Sequence, residues 1–298
     1  MTVCWYCPDS IFKDFKDPLD NPNFRLRCWY NHRCLLKDGH DSRIINSTKD
    51  MIDPDVLILM SFGEAEYAIT RWMNDKQKIV LHDYTENIRD IPILEATKQL
   101  CTNIVCCSAE LAKIESETYK DKVVVIKDPV EEFPYTKNYD YTPEQLSVVW
   151  CGMGGNAELP EVFIKPIVES LGMRYIEISN RAEATIKWDR QRWAGDMLHG
   201  DIAICPQAHW DFPTKSNVKV TTAMSLGLPA LASPLISYKE IIQDNETGFI
   251  CDTLEDWEIC LKKLKDKSLR QYISENAKKR LEPYRIGNIY KSWLQLFK

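Results

Sequence analysis

The chain has 298 residues, 44% of them apolar and 28% charged, enough to bury ample core in two domains. A formal net charge of −6 argues against a dedicated nucleic-acid binder, which carries a basic face, and leaves room only for a local basic patch. The opening Met-Thr-Val-Cys-Trp-Tyr-Cys-Pro lacks a charged leader and a signal-type apolar core, and no stretch approaches ~20 uninterrupted apolar residues, so no spanning helix is expected.

The expected compartment is therefore the cytoplasm, with peripheral contact at the inner membrane kept open and the 11 cysteines reduced. Cys4, Cys106, Cys205 and Cys251 lie in apolar runs and read as small core residues. Cys4-x-x-Cys7 looks like half a zinc or redox site, but no second pair follows at zinc spacing.

In chain order, Val3 to Cys7 reads as a strand, residues 10–23 as a long polar loop, and residues 23–37 as a helix stopped by Gly39. Ser42 to Asn46 begins a second strand. Asp55-Val-Leu-Ile-Leu-Met60 is a continuous apolar run, the mark of a parallel strand covered on both faces. Ser61-Phe-Gly-Glu-Ala-Glu66 opens a helix, with Glu64 and Glu66 as partners of its dipole. Lys78 to Asp83 is a strand that delivers His82 and Asp83 to its carboxyl end, where ligands gather in open α/β sheets. Strands at residues 103–108 and 122–126 and helices at 91–100 and 109–119 complete an alternating half.

Residues 131–144 are polar, carry Pro134 and Pro143, and read as a linker. The pattern then restarts. Leu146 to Cys151 is a strand, followed by Gly152-Met-Gly154-Gly155-Asn156 and a helix over 159–171 that Pro166 should kink. Strands follow at 174–179, 184–189 and 201–205. Thr214 to Asn217 reads as an N-cap cluster, Val218 to Leu226 as a helix stopped by Gly227, and Leu228 to Ser233 as a buried strand. Short helix 239–243, strand 249–251 and helices 254–265, 268–281 and 286–297 close the chain.

Several residues invite chemistry. A helix opening in Thr214-Lys215-Ser216-Asn217 offers amides, hydroxyls and an ammonium to a phosphate; an ordinary capped helix reads equally well. Lys215 and Lys219 share one helix face and suit a diphosphate, or are two solvated lysines. Gly154, Gly155 and Asn156 allow close backbone approach, or make a simple tight turn; no dinucleotide fingerprint is present, which disfavours a dehydrogenase. His82 and Asp83 are candidates for catalysis, although neighbours on a strand point to opposite faces, so a direct couple is not expected. His209-Trp-Asp211 either touches a ligand or closes its loop.

Asp201-Ile-Ala-Ile-Cys-Pro206, Ala223-Met-Ser-Leu-Gly-Leu-Pro-Ala-Leu-Ala-Ser233, Tyr238-Lys-Glu-Ile-Ile and Asp244-Asn-Glu-Thr-Gly-Phe-Ile-Cys251 resemble the GT-B-fold nucleotide-sugar glycosyltransferases of the glycosyl transferases group 1 (family 4) type. Asn23-x-Arg25-Leu-Arg27 and Lys78 to Asp83 are similar to that family's acceptor-domain opening. The resemblance implies an α/β fold of two Rossmann-like, doubly wound parallel-sheet domains facing an interdomain cleft. The acceptor domain would span residues 1–140, with helix 284–298 crossing back, and the donor domain residues 145–283. It implies metal-independent, retaining transfer of a sugar from a nucleotide-diphosphate sugar to the hydroxyl of a glycan, lipid-linked or other acceptor. No cofactor beyond the donor and no nucleic-acid partner are expected, although a modified base stays among the acceptors.

The family's two glutamates would fall on Thr214 and Thr222, and its basic pair after the first donor-domain strand is missing near Gly152. Lys215 and Lys219 are the available replacements, Thr222 would bind a ribose hydroxyl, and Lys215→Ala is expected to lose most donor affinity. The missing glutamates motivate an alternative, a catalytically silent nucleotide-sugar-binding or partner subunit of the same fold.

Overall fold

The computed structural model describes residues 1–13, 15–88, 90–141, 143–207 and 214–298. They form two six-stranded sheets in which every pairing is parallel. The first holds β1 (Thr2–Tyr6), β2 (Asp41–Ile45), β3 (Val56–Leu59), β4 (Ile79–Tyr84), β5 (Asn103–Cys106) and β6 (Val123–Val125), in the order β2-β1-β3-β4-β5-β6. The second holds β7 (Ser147–Cys151), β8 (Arg174–Ser179), β9 (Ile186–Lys187), β10 (Ile202–Cys205), β11 (Ala230–Ala232) and β12 (Phe249–Ile250), in the order β12-β11-β10-β7-β8-β9. Short apolar strands separated by helical crossovers allow little else, because a parallel neighbour needs a crossover that covers one face. The second order is the 3-2-1-4-5-6 arrangement of dinucleotide-binding folds; the first is its 2-1-3-4-5 relative with one more edge strand.

Residues 1–129, 214–216 and 284–298 form one compact unit; residues 130–213 and 217–283 form the other. Residues 130–140 group with the second unit, where Ser225 Oγ donates to Glu131 O at 2.7 Å and Lys137 N–H to Leu226 O at 2.8 Å.

Each sheet is covered on its apolar faces. One face of β1 presents Val3, Trp5 and Cys7 to Phe24, Cys28 and Leu35 and to the helix Ile286–Gln295, where Trp293 meets Trp5 edge-on with ring centres 5.4 Å apart. The other face presents Cys4 and Tyr6 to Ile69 and Met73 of the helix Glu64–Asp75. Cys4 and Cys7 thus lie on opposite faces and do not form a chelating pair. In the second sheet Val148, Trp150, Ile202 and Ile204 pack with Ile164, Val168, Trp257 and Leu261. Full burial of each such aliphatic side chain contributes about 1.5–3 kcal/mol.

The helix over 23–37 begins as a wide π-helical turn, Phe24–Trp29, before continuing as Tyr30–Lys37. The break expected at Pro166 lies just ahead of it: Pro160–Ile164 forms another wide turn, and Pro166 then occupies the first turn of the helix Lys165–Ser170, where its missing N–H costs nothing. The short helix expected at 239–243 is displaced to Ile236–Lys239.

Candidate functional site

In the second sheet the strand order reverses between β7 and β10. Ligands of open α/β sheets settle in the crevice beyond such a pair's carboxyl ends, here Cys151 and Cys205. The helix Val218–Ser225 starts after Asn217, which stands at the N-cap without a side-chain capping bond, contrary to the capping role expected of that cluster. Its first backbone bonds run from Val220 and Thr221 to Asn217 O, each 3.0 Å, so the Val218 and Lys219 amides precede the ladder. Gly227, with φ of 72°, ends the helix in the left-handed conformation that favours glycine.

Lys219 brings a cation to this crevice. Its Nζ lies 5.7 Å from the centre of the Trp150 ring. Burial pushes the Cys151 and Cys205 thiols up to about 12, and the Lys219 charge opposes that rise at both, which sets the ammonium beside the last residues of β7 and β10. Thr222, buried, follows one turn later on the same helix. Trp150 Nε1 is enclosed without a hydrogen-bond partner among the described residues.

The glycine loop is mostly engaged with the protein itself. Gly152 N–H donates to Ile178 O at 3.1 Å, Gly154 N–H to Asn180 Oδ1 at 2.8 Å, and Asn156 N–H to Met153 O at 2.9 Å. A Cβ on Gly152 would lie 2.7 Å from the Trp150 ring, and one on Gly154 would run into Arg181. Close packing therefore accounts for these two glycines; open space adjoins Gly155, where a Cβ meets nothing within 4 Å.

Thr214, Lys215 and Ser216 group with the first unit, whereas Asn217, Lys219 and Thr222 group with the second. Thr214 O accepts from Ser108 Oγ at 2.8 Å. Lys215 Nζ lies 3.4 Å from Glu86 Oε1, the two side chains being 40% and 55% exposed. His209, Trp210 and Asp211 lie outside the described residues.

His82 and Asp83 sit inside the first unit, 2% and 4% exposed, on opposite faces of β4 as strand alternation requires. Asp83 is held by Arg27, whose Nε is 2.8 Å from both carboxylate oxygens, and Arg27 Nη1 also reaches Asp128 Oδ1 and Ile126 O at 2.8 Å. This carboxylate anchors a buried cation and is not available as a base. His82 Nε2 lies 3.1 Å from Ser61 O, a bond in which the ring N–H donates, and Nδ1 is enclosed without a partner. Burial, reinforced by the Lys98 charge, lowers the His82 pKa from 6.5 to about 4.

The ring is therefore neutral in the fold and titrates at its ordinary value when unfolded. Below pH 6.5 the unfolded chain binds the additional proton, so stability present above 6.5 is lost as pH falls toward 4, by about 3 kcal/mol at most. Thermal melts of the wild type and His82→Asn between pH 8 and 4 should diverge in slope over that window; parallel profiles would contradict this account.

Two polar groups do more than their sequence context reveals. In the sequence Arg27 enters only through the acceptor-domain resemblance, and Glu66 only as a dipole partner. Their tertiary partners lie far away in sequence or in a turn of no fixed pattern; a charged residue at an apolar-periodic position is the one signal that marks Arg27.

No family model and no curated protein matches the chain. Solved structures do. Over all of this chain it is similar to 97% of a glycosyltransferase from Rickettsia africae, with a TM-score of 0.63 and 14% identity. Over 84% of the chain it is similar to S. aureus TarM, solved with Fondaparinux, α-GlcNAc-glycerol and UDP, with a TM-score of 0.64 and 12% identity. Over 81% it is similar to the pneumococcal O-GlcNAc transferase GtfA, solved with UDP and GlcNAc, with a TM-score of 0.60 and 9% identity. The matches span 57% of the TarM chain and 56% of the GtfA chain. At these identities what is shared is the fold, an α/β architecture of two Rossmann-like domains found in GT-B glycosyltransferases.

Proposed function

We propose that the protein is a glycosyltransferase that moves a sugar from a nucleoside-diphosphate sugar to an acceptor hydroxyl. The observation that carries this reading is the Lys219 ammonium at the fork of β7 and β10, beside the Trp150 ring and at the start of a helix. The UDP in the TarM and GtfA structures supports it. The second unit would hold the donor, with Lys219 and the amides of Val218 and Lys219 facing the diphosphate and Thr222 a ribose hydroxyl. Gly155 and Asn156 would line the same edge.

In the reaction the bond from the anomeric carbon to the β-phosphate oxygen breaks, and its electron pair leaves with the diphosphate. The acceptor oxygen bonds to that carbon, and its proton passes to the leaving phosphate or to water. Lys219 and the helix amides stabilise the charge that grows on the departing oxygen, the role a divalent ion plays in metal-dependent transferases. The resemblance implies retention at the anomeric carbon. No described helix is long and apolar enough to cross a membrane; the acceptor would be a glycan, a lipid-linked glycan or another hydroxyl compound.

Incubation with a panel of UDP- and GDP-sugars tests the reading. Slow release of the nucleoside diphosphate without added acceptor is the expected result. Binding without release would favour the silent nucleotide-sugar-binding subunit that Thr214 and Thr222, in place of the family's glutamates, suggest. Absence of binding by every member would overturn both.

A further inference from the structure

In the first sheet the strand order reverses between β1 and β3, so its ligand crevice lies beyond Tyr6 and Leu59. The chain leaving β3 passes Ser61 and Gly63 and enters the helix Glu64–Asp75. Glu66, third in that helix, is 5% exposed. Ser61 Oγ donates to its Oε1, and no described lysine, arginine or histidine pairs with the carboxylate. Carboxylates buried to this degree ordinarily have a cation, since desolvation penalises the charge heavily. The helix dipole offsets only part of that penalty.

Oε2 accepts no hydrogen bond from any described residue, and a Cβ on Gly63 would lie 3.0 Å from it, so glycine there leaves this oxygen uncovered. Tyr6, paired with Leu59 at the carboxyl end of β1, stands at the same crevice, where burial and, next, the Glu66 charge raise the pKa of its phenol. The turn is fixed from behind, where His82 Nε2 holds Ser61 O. His82 Nδ1 is enclosed and unpartnered behind the same turn.

We infer that Glu66, with the hydroxyls of Ser61 and Tyr6, is a hydroxyl-binding site for a neutral polyhydroxylated molecule such as a glycoside. A carboxylate oxygen without a donor, beside a phenol and a hydroxyl oxygen, fits a sugar's adjacent O–H groups: one donates to Oε2, and its neighbour accepts from the Tyr6 phenol or donates to Ser61 Oγ, whose own proton lies on Glu66. It repels phosphates and carboxylates. The inference rests on the transferase reading only in naming this ligand as the acceptor; Glu66 then orients the acceptor hydroxyl.

Saturation-transfer NMR of the full chain with methyl α-glucoside and with glycerol tests it, alongside a UDP titration. The wild type should show transfer to at least one probe, Glu66→Gln should weaken that binding tenfold or more, and the UDP Kd should stay within twofold. If Glu66→Gln does not fold, Ser61→Ala carries the test with at least a threefold weakening. Undiminished binding in the folded variant, or no transfer to either probe in the wild type, would overturn the site. Glycoside binding that depends on Glu66 in a protein that ignores UDP would leave this site standing and remove the nucleotide-sugar reading; the converse pattern does the reverse.

Discussion

Arg27→Met should cost the first unit about 3–5 kcal/mol, because it removes the cation between two buried carboxylates and leaves both unpaired. Arg27 is 1% exposed, and Asp83 and Asp128 are 4% and 5% exposed. Methionine fills much of the volume and keeps contact with Trp293, over whose ring the guanidinium carbon lies at 5.7 Å, so the loss is electrostatic more than steric. In the native protein burial already raises the Asp83 pKa against the pull of Arg27. Without Arg27 it rises further, and the folded state holds protons that the unfolded chain releases above pH 4. The deficit therefore grows as pH increases from about 4 to 8. A melting temperature lowered by roughly 10 °C at pH 8, and by less at pH 5, is expected for a unit of this size. A shift below ~2 °C at pH 8 would show that the carboxylates are hydrated or neutral.

Lys219→Ala should weaken UDP binding by about 2–3 kcal/mol, ~30- to 150-fold in Kd, with little change in melting temperature. The charge stands beside the buried Cys205 thiol, the half-buried Cys151 and an indole, in a setting where a hydrogen bond to a diphosphate is screened less than at the surface. Lys219→Arg should retain part of the affinity. Lys215→Ala supplies the contrast. Spacing nominates Lys215 first, but its ammonium stands half-exposed against Glu86, and a pair of that kind is worth at most about 1 kcal/mol. Calorimetric titration of the three variants at two salt concentrations separates the lysines; equal losses from Lys215→Ala and Lys219→Ala would refute Lys219 as the principal diphosphate cation.

The architecture was legible because its signals are local. Apolar runs such as Asp55–Met60 and Leu146–Cys151 announce strands covered on both faces, and Gly39, Gly172 and Gly227 all take positive φ at helix ends. Site chemistry was less legible because it depends on which way a side chain turns and on what meets it. His82 and Asp83 stand at a strand's carboxyl end, as ligand-binding residues do, yet their partners are Ser61 and Arg27, 21 and 56 residues away. Gly152 and Gly154 resemble a phosphate loop, but their missing side chains make room for Trp150 and Arg181. Glu66 looks like any acidic residue in a first helical turn until its burial is known.

The edge-on contact of Trp5 with Trp293 has a bearing on how the protein is made. A ribosome releases β1 before any of residues 217–283 and the helix Ile286–Gln295 only after all of them. Throughout that interval one face of β1 lacks the cover that Ile289, Tyr290 and Trp293 provide. The nascent first unit thus waits with sticky surface exposed while the second has every strand it needs, which makes the later-synthesised unit the earlier to mature and the amino-terminal one the natural client of a chaperone.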